Sequence, residues 1–583
     1  MESFNLTGLD IGIMVSYAVL IIGYGLYHAK RKNSEDYFLA GRGMPWPIVG
    51  IALFSANISS STLIGLAGDA YKTNMHVYNY EWFAVVVLIF FAIFFLPFYL
   101  KSGVYTMPEF LEKRYDRRSR YYFSFITIVG NVLVDTAAGL YVGSIVLKLL
   151  FPSLPAWQII LMLAIAAAAY TIPGGLNSVI QTEVVQAILL VIGSILLTYF
   201  AFQEFGGGWS DMMAALTDKI QSGGVPTVEA LKEAGYHAPS NAEEAFSLVR
   251  PTNDEFMPWY GLVTGVPLLG FYFWANNQFM VQRVLGARDL NHGRWGALFA
   301  GLLKLPVIFI MVVPGVLALL VFSNLDISSL NYITADGTPC QNLSECSNLT
   351  YPVLLMQLLP SGILGLVVAG LLAAMMSSVS ATFNSASTLI TMDFVRNINP
   401  RLSSEQLVRA GQIATIVLVV LAAAWVPYIE KVSDSLWKYL QLVISYTAPP
   451  AVATFVLGLF WKRASGTGSI ASLLFGFVFA IVMLSLQVYA SGQEEVTGIV
   501  KSLTEIHFLL MAFYLWISCM VVHIVVSLMT PPPSDEQVEH FTWRRELFRA
   551  ETAELKGLPW YQNYRILAII LLAITAVIVG YFW

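Results

Sequence analysis

Charge is scarce in this sequence. Only 12% of its 583 residues are Asp, Glu, Lys or Arg, against 57% hydrophobic ones, and the mean hydropathy is +0.67. A soluble chain of this length needs far more charge to cover its surface, so the soluble globular classes are excluded. Basic residues form no stripe along one element, and nucleic acid is not an expected partner. Cysteine is scarce too, at three residues, and no zinc or redox spacing is present. Cys519 lies in an apolar run and reads as a small buried hydrophobe. Cys340 and Cys346 share a polar segment; they are either a disulfide, if that segment faces an oxidising compartment, or two free thiols. Enzymatic signatures are missing: there is no Gly-rich phosphate loop with its Lys, no paired His cluster and no nucleophile elbow. Met1 to Asp10 carry no basic stretch, and the apolar run that follows lacks a small-residue cleavage site, so it reads as a retained helix.

Long apolar runs are what the sequence has in abundance. By the rule of roughly 20 apolar residues per membrane helix, about fourteen runs are expected to span. Their approximate cores are 9–29, 46–70, 78–100, 121–150, 157–173, 179–202, 258–281, 295–322, 361–392, 407–426, 435–460, 467–490, 505–529 and 565–582. The expected fold is all-α and integral to a lipid bilayer. Lys and Arg gather in alternate loops: Lys30, Arg31, Lys32 and Arg42; Lys101 through Arg120; Arg283, Arg288 and Arg294; Arg396, Arg401 and Arg409; Lys462 and Arg463; and Arg544, Arg545 and Arg549. The intervening loops 203–257 and 323–360 are long and poorer in basic residues. The positive-inside rule then puts both termini outside, as an even helix count requires.

Two runs are unsuited to being plain helices. Residues 46–70 carry Pro47, Gly50, the polar stretch Ser55 to Thr62, then Gly65 and Gly68; residues 258–281 carry Gly265, Pro267 and Gly270, then Trp274, Asn276, Asn277 and Gln278. Broken backbone at membrane depth is tolerated only where it lines a cavity or is buried in protein. Interrupted segments about five helices apart point to an inverted-repeat transporter with its site at the midplane.

Ionisable residues inside apolar runs are functional candidates, since each costs about 2.5–3.5 kcal/mol at a helix centre. Glu81, Lys304 and Glu183 qualify. Glu81 and Lys304 are either a structural ion pair or a pocket whose charges cancel while offering strong partners to hydroxyls. Asn57 and Gln441 are uncharged polar residues in otherwise apolar helices; helix–helix hydrogen bonding is the alternative, but Asn57 lies in the broken segment. Adjacent Ser377 and Ser378, facing loosened carbonyls near Ser55 to Ile58, make either a sodium cage or a small-residue packing face.

Four stretches resemble the sodium/solute symporter family, in its sodium/glucose cotransporter branch: Ser34 to Arg42, Gly174-Gly175-Leu176 through Gln186, Phe383-Asn384-Ser385 through Asp393, and Leu459 to Arg463. The likeness runs nearly end to end. It implies a LeuT-like core of two inverted five-helix repeats over about 44–463, with one extra helix before it (9–29) and three after (467–490, 505–529, 565–582). A cytosolic segment at about 530–564 precedes the last helix, all within one transmembrane domain. It further implies that Asn57, Glu81, Lys304 and Gln441 contact the sugar, that Trp274 stands beside it, and that the carbonyls of Ser55, Ile58 and Ala374 with the hydroxyls of Ser377 and Ser378 bind sodium. There are departures. Phe273 replaces the family's inner-gate Tyr, Thr62 stands where relatives have Gln or His, and Gly270 replaces a polar pocket residue. A second sodium would use Glu183 and Ser380, but Ala381 lacks the second hydroxyl.

The resulting expectation is a sodium-coupled symporter of a glucose- or galactose-like sugar, not an enzyme, spanning the plasma or inner membrane and working by alternating access. A myo-inositol symporter is the near alternative; a passive channel or a sugar sensor is the alternative from another class. The polarity concentrated at midplane, with no continuous polar stripe, favours the symporter.

Overall fold

The computed structural model describes residues 6–29, 33–151, 153–204, 206, 208–322, 340, 346–429, 436–491, 493 and 496–583. Lys30, Arg31 and Lys32, and most of the 323–360 loop before Cys346, lie outside the described residues. Among those described the chain is helical, without a β-strand. Ten helices among the described residues are long and apolar enough to cross a membrane, or up to twelve if each of two bent pairs is one span.

In chain order the main helices are α1 (Gly8–Tyr27), α2 (Trp46–Asn57), α3 (Ser60–Thr73), α4 (Met75–Lys101), α5 (Arg117–Leu150) and α6 (Ala156–Gln203). Then follow α7 (Trp259–Phe271), α8 (Gln278–Leu285), α9 (Leu290–Lys304), α10 (Ile308–Val321), α11 (Ile363–Ile398), α12 (Ser404–Ile429) and α13 (Leu436–Phe460). The last four are α14 (Gly466–Ser491), α15 (Phe508–Met529), α16 (Arg545–Leu555) and α17 (Tyr564–Tyr581).

Two sequence runs, 157–173 and 179–202, form the single unit α6. At 48 residues it would be about 72 Å long if straight, more than twice a bilayer's apolar core of about 30 Å. It is not straight. Gly175 sits at φ 58°, and a Cβ there would meet the Tyr37 carbonyl oxygen at 2.3 Å, so glycine alone allows this kink. Residues 258–281 fall in two pieces, α7 and α8, joined by a π-turn and the extended residue Asn277.

The most deeply buried span is α11, which packs along α6 and receives α1 at its start. There the Asp10 carboxylate accepts from the Gly362 and Gly365 amides at 2.7 and 2.8 Å. An anion at a helix N-terminus satisfies donors that have no helical partner. By contrast α1, α14, α15 and α17 bury a third or less of their apolar windows and present Val19, Val478, Val521 and Ile569 outward. Cys340 and Cys346 are joined by a disulfide, and Cys519 is buried.

At the end of the bundle rich in Lys and Arg, buried charges are matched. Asp393 accepts from Arg120, Ser124 and Thr106 at 2.6, 2.5 and 2.8 Å, and Arg114 donates to the carbonyls of Gly458, Trp461 and Ala464 at the end of α13. The short helix α16 docks through Glu551, which reaches Arg294 of α9 and Arg565 of α17, both at 2.5 Å, and accepts from Tyr564 at 2.7 Å. Partial burial pushes the Glu551 carboxyl up, but Arg294 and the hydrogen bonds from Tyr564 and Arg565 outweigh it and hold it below its ordinary range. A depressed carboxyl stabilises the docked state above the unfolded value of about 4.3 and ceases to do so as pH falls through the folded one. Glu551→Gln should therefore weaken α16 docking at neutral pH by about 2 kcal/mol, read as roughly thirtyfold faster amide exchange over residues 545–555. Exchange in α11 should not change. Unaltered protection of α16 would show that the ion cluster does not dock it.

Candidate functional site

Four interruptions of regular helix meet around one cavity. The first separates α2 from α3, whose axes bend by 54°. Ile58, at ψ 78°, ends α2, and Ser59 is extended and caps α3 by accepting from the Thr62 amide at 3.0 Å. The Thr62 hydroxyl in turn donates to the Asn57 carbonyl at 2.8 Å, so one residue after the break satisfies a group before it. The second is the π-turn Tyr272–Asn276 with the Asn277 cap of α8, which carries Phe273 and Trp274. The third is another π-turn, Asn131–Thr136, within α5. The fourth is the end of α9 at Lys304, where it bends by 41° into α10. Such irregular turns are frequent at functional sites.

The cavity leaves about 100 Å³ open to the centres of water-sized molecules. Asn57, Thr62, Glu81, Phe273, Trp274 and Gln441 all line it. Lys304 stands just behind the wall and is fully buried. Its ammonium contacts the Glu81 carboxylate, donates to Asn57 Oδ1 and lies 5.8 Å from the centre of the Trp274 ring. A buried ammonium with two oxygen partners and an aromatic face is a fixed charge, held without reliance on water. Glu81 follows directly on the 3-10 turn Met75–Tyr78 that opens α4.

The hydroxyl groups meet at one side of this cavity. Ser55 Oγ and Ser377 Oγ are 3.2 Å apart across α2 and α11, and both residues are buried. Ser378 lines the cavity while its hydroxyl donates to the Ala374 carbonyl at 3.0 Å. Ile58 is fully buried at the break. Thus the structure brings Ser55 to Ser377, and Ser378 to Ala374, beside the interrupted backbone. Glu183 and Ser380 are differently engaged. Arg283 forms an ion pair with Glu183 and its Nε donates to Oε2 at 3.1 Å, while Ser380 donates to the Tyr170 hydroxyl at 2.7 Å.

One group in the cavity escaped the reading of the sequence. Asp135 lines it from α5, and among the described residues no cation or donor pairs with its carboxylate. With Asp135 the cavity holds two acidic side chains against the one ammonium of Lys304, not the balanced pair expected from Glu81 and Lys304 alone. The signal was available, since Asp135 lies inside the apolar run 121–150 as Glu81 and Lys304 do in theirs. Arg283 was likewise read as a loop marker of orientation, whereas it is buried against Glu183.

Comparison with known proteins gives a consistent result. The profile of the sodium:solute symporter family matches residues 37–476. Sodium/glucose cotransporter 1 of Mus musculus is 32% identical over 561 residues, covering 94% of this chain and 82% of that protein. The sodium/myo-inositol cotransporter of Homo sapiens is 33% identical over 566 residues, covering 94% and 78%. Among solved structures, a Na+-coupled sialic acid symporter in a substrate-bound outward-open state superposes with a TM-score of 0.69 at 19% identity, covering 91% of this chain and all of that one.

The Glu81–Lys304 contact has a thermodynamic signature. Lys304→Met leaves a buried carboxylate without its cation and should cost about 3–5 kcal/mol. Adding Glu81→Gln should recover most of that loss, because both charges are then gone. Thermal unfolding of the purified protein reads both. Strictly additive losses in the double variant would mean that the two side chains do not act as a pair.

Proposed function

The chain belongs to the sodium:solute symporter family, and from that premise we propose that it carries a neutral hexose, glucose- or galactose-like, into the cell with sodium. The observation that carries this reading is the cavity wall. Asn57, Glu81 and Gln441, with Lys304 behind them, offer strong acceptors and donors to hydroxyls, and Phe273 and Trp274 offer flat apolar faces to a ring. A solute of many hydroxyls and no charge fits such a wall. Myo-inositol has the same chemistry and is the second reading, favoured by the human relative that carries it in its name.

Sodium binds, in this proposal, to the carbonyls of Ser55, Ile58 and Ala374 and the hydroxyls of Ser377 and Ser378. Its support is the Ser55–Ser377 approach at 3.2 Å beside carbonyls freed by the break between α2 and α3. Bridging α2 and α11, the ion holds the cavity in the shape that receives solute. Solute then closes the outer side, and loss of sodium to the cytoplasm releases both. A second ion at Glu183 and Ser380 would have to displace Arg283, and we assign none there.

The same reading counts fourteen spans, with α2 and α3 as one, α9 and α10 as one, α7 and α8 as one, and α6 divided at Gly175. Two inverted five-helix repeats make the core. Both termini face outside at the plasma or inner membrane, which puts the Cys340–Cys346 disulfide on the oxidising side.

Uptake into proteoliposomes tests the proposal. A labelled hexose should accumulate only with an inward sodium gradient, and amino acids and carboxylates should not compete. Ser377→Ala with Ser378→Ala should raise half-saturating sodium by at least about tenfold, as loss of ~1.4 kcal/mol does. Exposed Ser502→Ala should not. An unchanged sodium requirement in the double variant would remove this ion site; sodium-independent uptake would remove the coupling.

A further inference from the structure

Helix α5 leaves regular geometry where it passes the cavity. Its π-turn Asn131–Thr136 is pinned to α11 at both ends: Asn131 Nδ2 donates to Ser385 Oγ at 2.9 Å, and the hydroxyls of Thr136 and Thr382 are 2.6 Å apart. Thr382 in turn donates to the Ser378 carbonyl at 3.2 Å. Between the two pins stands Asp135, and Asp135, Thr382 and Ser378 line the cavity together. A carboxylate is thereby fastened about one helical turn along α11 from the Ser377–Ser378 pair.

Three buried carboxylates of the bundle have cations. Glu81 has Lys304, Glu183 has Arg283 and Asp393 has Arg120. Asp135 has none among the described residues, and a lone carboxylate at membrane depth is costly. Resting on the sodium-coupled reading above, we propose that Asp135 is the counter-charge of the co-transported sodium ion. With one ion bound near Ser377 and Ser378 and Asp135 ionised against it, the cavity sums to zero and a neutral solute completes it. The solute meets Asn57, Glu81 and Gln441 on the wall in front of Lys304; the ion meets Asp135 and the hydroxyls on the α11 side. One sodium ion per solute follows, because a second would leave the loaded cavity positively charged.

The test separates ion from solute. Purified protein is titrated with sodium alone, without sugar, and its unfolding midpoint is followed, with choline as the control cation. The wild type should be stabilised by sodium. In Asp135→Asn, half-saturating sodium should rise by at least about tenfold, while Asp135→Glu, which keeps the charge, should stay within about threefold of the wild type. Charge moved per sugar taken up by wild-type proteoliposomes should be one. An Asp135→Asn titration like the wild type's overturns the proposal, as does a variant altered only in its KM for sugar, or a ratio of two charges per sugar. If wild-type uptake proved sodium-independent, the symporter reading itself would fall and this proposal with it. Sodium-dependent wild-type uptake with an unaltered Asp135→Asn titration overturns the counter-charge alone.

Discussion

Interrupting a helix at membrane depth leaves carbonyls and amides that lipid cannot satisfy, and the architecture is arranged around receiving them. At Ile58 and Ser59 the chain does this locally, through the Ser59 cap and the Thr62 hydroxyl, while beside the break the Ser55 hydroxyl meets Ser377 of α11. Only Ser, Ala and Gly side chains let α11 approach a broken backbone closely enough for hydroxyls to meet. The deep burial of α11, its packing on α6 and its anchoring to Asp10 of α1 all hold that approach. The cavity is a consequence of the break: two half-helices diverging by 54° leave space, and Asn57, at the end of the first, points its amide to Lys304.

Two of the three ionisable side chains at this site are paired. Lys304 and Glu81 cancel, and their removal from water is offset by contact with each other and with Asn57. Asp135 is the departure from cancellation, and the proposed sodium ion would restore the balance. The matched pairs Arg120–Asp393 and Arg283–Glu183 lie outside the cavity, where they bind α5 to α11 and α6 to α8.

Much of this was legible in the sequence because membranes simplify the code. Scarce charge, runs of about 20 apolar residues and Pro, Gly and Ser clusters within two of them already locate the breaks. Asn57, Glu81 and Gln441 are polar where lipid or packing would want apolar groups, and the structure brings them to one cavity. What was not legible was partnership. Glu183 looks like a free acid in its run, and its neutraliser Arg283 lies 100 residues away. Asp135 sits in a run whose Thr and Gly neighbours mask it, and its significance depends on a π-turn that no periodicity announces. The 48-residue α6 shows the converse: its two runs look separate in sequence, yet helical geometry continues through Pro173 and changes direction only at Gly175.

If the ion at the break and the solute in the cavity share one two-state core, each must strengthen the other's binding equally. The direct measurement is equilibrium binding of a labelled hexose at low and saturating sodium, paired with sodium binding at low and saturating hexose, on the purified protein. The account predicts that the two factors agree and exceed one. Equal hexose affinity with and without sodium, or two factors that differ, would contradict it.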